Sequence, residues 1–205
     1  MRNVTILLLS ILFLSSCATE DDFVELSIEP IYAENLDVEL KVDIVYVKDP
    51  NFDEVLPKFN EQRFIEDLNG KYFHRNGIGF TLGKVDILEH QELYDFKDNR
   101  GNEQETFLDE TEDYINSDRI TIFIIKRSNI YGISGIGYGQ RVLLTDEHVF
   151  ESTSPHEIGH SLGLGHTVEE GNIMCTVKPH LRKDFTSQQS NAMKQKIKLI
   201  NRLKG

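Results

Sequence analysis

The stretch His156-Glu157-Ile158-Gly159-His160-Ser161-Leu162-Gly163-Leu164-Gly165-His166 decides how this chain is read. Two histidines four apart on a helix differ by about 40° around its axis, so both imidazoles project from one face. That spacing lets two ring nitrogens reach a single metal ion. Ser154 followed by Pro155 predicts a helix start just upstream, because proline is tolerated in the first turn. Gly163 explains how a third ligand arrives. A helix running past Leu162 would carry later side chains away, whereas a glycine in a left-handed conformation ends it and turns the chain. His166 can then return to the same ion. Three neutral imidazoles with a fourth position open describe a catalytic zinc site; structural sites are closed by four protein ligands, usually including thiolates. Glu157, next to the first histidine, would lie beside the metal, where it can accept a proton from water.

A bare His-Glu-x-x-His can arise in any helix as a solvated face with incidental histidines. Requiring Gly163 and His166 at fixed offsets adds two demands, and glycine, at about 7% of residues, alone cuts accidental matches more than tenfold. The full run resembles the extended zinc signature of the metzincins, and its wording from His160 to His166 is especially similar to the matrixin branch. Metzincins carry a methionine in a tight turn under the metal. Met174, eight residues after His166, matches that separation, and its implied role is an apolar floor beneath the imidazoles rather than ligation. The resemblance implies a zinc-dependent endopeptidase acting on protein or peptide substrates, with Glu157 as general base and then acid. The competing reading is a surface binding lipoprotein that keeps zinc without hydrolysis; retention of Glu157 speaks against it. Cys175 and Thr176 depart from the residues that usually follow the matrixin methionine. Neither an inhibitory cysteine nor the second histidine cluster of matrixins is recognisable.

Working outward, the order of elements points to one α+β domain over about 37–205, a mixed sheet with helices packed against it. That order is similar to a minimal metzincin catalytic domain, and the resemblance implies a mixed twisted sheet with an active-site helix and a C-terminal helix. Val38, Leu40, Val42, Ile44 and Tyr46 alternate as a strand. Val55, Phe59, Ile65, Leu68 and Tyr72 recur along one side of a helix, with Gly77 as its stop. Further strands are predicted over Phe80–Leu88, Ile120–Ile125 (apolar and β-branched nearly throughout, hence covered on both sides) and Arg141–Thr145. Met193, Ile197, Ile200 and Leu203 mark a last helix. Gly132, Gly135, Gly137 and Gly139 precede a strand rather than a helix, which excludes a nucleotide-binding loop. By the metzincin resemblance they line the sheet edge that faces substrate.

The N-terminus carries a different message. Arg2, the apolar run Val4–Leu14 and then Ser15-Ser16-Cys17 have the layout of a secretory signal, too short to span a bilayer comfortably. Leu14-Ser15-Ser16-Cys17 is similar to a bacterial lipobox, which implies loss of residues 1–16 as signal peptide and a lipid anchor on Cys17. Residues 17–36 then form an acidic tether. Its Glu20-Asp21-Asp22 is similar to surface-export signals and equally compatible with a plain solvated spacer, so the expected location is the outer membrane or cell surface. Cys175 is left without a partner, and it reads as a small packed side chain. The chain has 22 basic and 34 acidic residues and a net charge of −12, which argues against nucleic acid as a partner; a monomer is expected. Asp95, Asp98, Asn99, Asn102 and Glu103 could gather around Ca2+ but do not follow the EF-hand pattern, and a solvated loop is the better reading. His74, His90, His148 and His180 lack ligand spacing.

Overall fold

A computed structural model describes residues 27–51, 59–94, 102–115, 118–125 and 135–202. Its centre is a five-stranded sheet of β1 (Val38–Lys48), β2 (Ile78–Glu89), β3 (Arg119–Ile125), β4 (Gly135–Tyr138) and β5 (Arg141–Thr145), in the order β2-β1-β3-β5-β4. Neighbours are parallel except β4, which runs antiparallel to β5. This is the mixed sheet expected. The apolar β3 is buried on both sides: Ile120, Ile122 and Ile124 join the main core, whereas Phe123 and Ile125 join a second, smaller one.

The main core lies between the sheet and three helices, α1 (Glu61–Leu68), α4 (Thr153–Ser161) and α5 (Ser187–Arg202). Helix α1 starts later than the apolar spacing suggests. The Asn60 side chain caps it by accepting from the Arg63 amide at 2.9 Å, and Phe59 stands just before the cap, its ring 5.5 Å from that of Phe64. This is a hydrophobic staple that fixes the angle of entry. Val55 lies outside the described residues. Past Leu68 the helix widens into a π-turn (Asn69–Phe73) and then tightens, ending at Gly77 with φ +69°. The widened turn lets Tyr72 and Phe73 both face inward.

The smaller core uses Leu93 of α2 (Gln91–Tyr94) and Phe107 of α3 (Glu103–Glu110) to cover the other face of the sheet. Neither helix is legible in the sequence: α3 is largely acidic and buries only Phe107 and Glu103. Residues 27–37 carry no regular secondary structure, yet part of this tether region is fastened to the domain. The Ile31 amide donates to the Gly70 carbonyl at 2.7 Å, the Ala33 amide to Nδ1 of His74 at 3.2 Å, and the Arg75 guanidinium to the Glu29 carbonyl at 2.7 Å. Cys17 and the preceding signal segment lie outside the described residues, as does Leu203 beyond the end of α5.

Candidate metal centre

Helix α4 begins at Thr153, one residue before the expected cap. Ser154 is therefore inside the helix, and its hydroxyl donates back to the Val149 carbonyl instead of capping; Pro155 sits in the first turn as expected. At the other end the Leu164 amide donates to the Gly159 carbonyl and the Gly163 amide to the His160 carbonyl, both at 2.9 Å. Gly163 has φ +94°. Those paired bonds and the left-handed residue make a Schellman stop. The chain then doubles back and brings His166 to α4.

The result is three converging imidazoles. Nε2 of His160 lies 3.1 Å from Nε2 of His156 and 2.9 Å from Nε2 of His166. Nδ1 of His156 is 2.7 Å from the Ile173 carbonyl oxygen, and Nδ1 of His160 is 2.8 Å from that of Leu164. A carbonyl can only accept, so both Nδ1 atoms carry the proton and both Nε2 atoms present lone pairs. Lone pairs aimed at one point repel unless a cation lies between them. A tetrahedral zinc with Zn–N of about 2.0–2.1 Å sets its ligand nitrogens about 3.3 Å apart, close to the spacing here. The donor set fits zinc. Burial holds the His156 pKa down at about 4 and also lowers that of His160, which keeps the rings neutral and able to bind metal.

Glu157 is buried at 8% exposure, and burial pushes its carboxyl up to about 7, with Arg182 opposing that rise. Strand β4 lies directly against it. A Cβ on Gly135 would stand 2.6 Å from Cγ of Glu157, and one on Gly137 would collide with the Glu157 carbonyl. Only glycine allows the strand so close to α4. Met174 is fully buried, with Sδ 2.5 Å from where a Gly159 Cβ would be. The turn that carries it is tied by the Met174 amide donating to Oδ1 of Asn172 at 2.8 Å and the Ile173 amide donating to the Asp184 carbonyl at 2.8 Å. Cys175 is buried, its thiol directed at the Val177 carbonyl.

All five residues expected at the site (His156, Glu157, His160, His166 and Met174) thus gather in one place. Sequence reasoning missed the carbonyls of Ile173 and Leu164 that orient the rings, because backbone partners leave no residue-type signal. It also missed Arg182, whose Nε donates to the Cys175 carbonyl at 2.8 Å. His90 and His148 instead meet Glu110 and Glu151, each at 2.8 Å. Of the proposed calcium group, Asp95, Asp98 and Asn99 fall outside the described residues, as does Gly132. Among the described residues the histidine triad is the one cluster able to hold a metal.

Known proteins share this fold at low sequence identity. The fold is similar to the crystal structure of archaemetzincin from Methanopyrus kandleri, with TM-score 0.54 and 17% identity, over 78% of this chain and 96% of that one. Metalloproteinase-II from Bacteroides fragilis also matches, with TM-score 0.46 and 16% identity, over 87% of this chain and 59% of that one. No curated protein matches by sequence. The family model described as Matrixin matches residues 68–198, from the end of α1 to near the end of α5 and including every residue of the site. The chain therefore belongs to the matrixin family and is a metzincin-like zinc metallopeptidase.

Proposed function

We propose that this protein is an endopeptidase in which Glu157 moves the protons and His156, His160 and His166 hold zinc. The observation that carries the reading is the buried Glu157 carboxyl, next in sequence to the first of three imidazoles whose Nε2 atoms converge on one point. Zinc bound there supplies Lewis acidity toward water and a substrate carbonyl. The chain supplies the rest. Glu157 takes a proton from the attacking water on a carboxylate oxygen and returns it to the departing amine nitrogen. Its burial favours a carboxyl able to do both near neutral pH. Among the described residues strand β4 ends the sheet, which supports pairing of its outer edge with an extended peptide by backbone hydrogen bonds. Such pairing grips the middle of a chain and favours internal cleavage.

The test compares wild type with Glu157→Gln on a mixed peptide library. Zinc content is expected to be similar, and turnover to fall at least about a hundredfold with the general base gone. Equal turnover excludes this mechanism. A zinc-loaded wild type that cuts nothing favours the binding-protein alternative.

The sequence Leu14-Ser15-Ser16-Cys17 supports a lipid anchor on Cys17, holding the enzyme at a bacterial membrane as an exported lipoprotein. Incorporation of an alkyne fatty acid that disappears in Cys17→Ser tests it; equal labelling in both rules it out.

A further inference from the structure

Carbonyl groups two residues apart in the Met174 turn hold two different side chains. That of Ile173 receives Nδ1 of His156, and that of Cys175 receives Nε of Arg182. The turn therefore fastens a guanidinium beside the metal centre. Its backbone is braced on the far side, with the Lys183 amide on the Gly171 carbonyl at 3.0 Å and the Ile173 amide on the Asp184 carbonyl at 2.8 Å. Arg182 is half-buried, and its charge acts on Glu157, His156 and His160.

A guanidinium has five N–H donors. Arg182 uses the one on Nε, and among the described residues neither terminal nitrogen has an acceptor or a carboxylate within ion-pair distance. A half-buried cation next to a dication site disfavours metal binding, and a neutral donor could brace the turn equally well. The planar fork left open is the shape that grips a carboxylate with two parallel hydrogen bonds. The protein as a whole is acidic, at net charge −12, so attraction for a peptide carboxylate must come from a local cation.

We propose that Arg182 is a specificity residue that docks a carboxylate of the substrate next to the scissile bond, so that the enzyme prefers peptides with Asp or Glu, or a free C-terminus, at that point. The proposal rests on the peptidase reading above. Quenched fluorescent peptides differing only by Glu or Gln at each position flanking the cut, each made with a free or an amidated C-terminus, separate the two carboxylate sources. The wild type is expected to show at least about a tenfold higher kcat/KM for the carboxylate member of one such pair, in line with a charge-assisted bidentate contact. Arg182→Met is expected to bring that ratio close to one, and Arg182→Lys to retain part of it. A fall in all peptides together at constant ratio, or no carboxylate preference in the wild type, overturns the proposal and leaves Arg182 as a brace. Arg182→Gln keeps a donor for the Cys175 carbonyl and replaces Arg182→Met if that variant melts early. Zinc-loaded Glu157→Gln gives a readout independent of turnover: anisotropy of the same labelled peptides should retain the carboxylate bias and lose it with Arg182→Met. A zinc-loaded wild type that cleaves none of these peptides while the binding bias is intact counts against the peptidase reading alone, whereas wild-type cleavage without any bias counts against Arg182 alone.

Discussion

Met174 packs its sulfur against the backbone of Gly159, the residue just before the second histidine, so tightly that a Cβ there would stand 2.5 Å from Sδ. The floor of the site and the helix that carries two of its ligands are thus in direct contact. Gly159→Ala is expected to destabilise the fold by about 1–3 kcal/mol through overpacking and to weaken zinc binding, because the methionine turn also positions His156. Thermal melting and zinc competition with a chromogenic chelator measure the two effects. Met174→Leu, which nearly conserves volume, should cost less than about 1.5 kcal/mol.

Gly163 and Gly165 make a matched pair. Neither has an atom within 4 Å of a built Cβ, but only Gly163 has positive φ, at +94°. Gly163→Ala is expected to cost about 1 kcal/mol or more through backbone strain and to displace His166, lowering zinc affinity. Gly165→Ala should stay within about 0.5 kcal/mol of wild type. If both substitutions behave alike, the turn does not depend on the left-handed residue.

Removing the metal should reveal the repulsion among the three Nε2 atoms, 2.9 and 3.1 Å apart. A strong chelator is expected to lower the melting temperature, and added zinc to restore it. At free zinc of 100 times Kd, the linkage is about 2.7 kcal/mol. His166→Ala should remove most of this response. An unchanged melting curve with and without chelator contradicts the metal assignment.

Stability far from the site rests in part on Asp43, where β1 bulges against β2. Its carboxylate accepts the Lys84 amide at 2.8 Å and the Arg119 guanidinium at 2.9 Å, with the two side chains 13% and 19% exposed. Asp43→Ala removes both contacts, leaving the exposed Lys84 amide to water and Arg119 to Asp118 alone, and is expected to cost about 1 kcal/mol. Activity per folded molecule should not change, which urea titration and active-site counting can check.

The ligand set was legible because it obeys helix geometry: a four-residue spacing, a glycine that must turn, and a residue that returns. The sheet was legible where burial imposes a pattern, as in β1 and β3. Helices α2 and α3 were hidden because Leu93 and Phe107 are nearly all they contribute to the core, and single apolar residues carry no period. Arg182 was hidden for another reason. It lies sixteen residues from His166 in sequence, and only a loop closed by backbone hydrogen bonds brings it to the metal centre.

The clasp of Glu29, Ile31 and Ala33 onto Gly70, His74 and Arg75 alters the leash that the proposed anchor would hold. Measured from Cys17, a chain free as far as Leu36 could stretch to about 65 Å, but one fastened from Glu29 onward reaches only about 40 Å. That is close to the thickness of a whole bilayer. On so short a lead the domain would meet membrane-rooted chains only within about 40 Å of its own attachment point, whereas freely diffusing ones could still come to it.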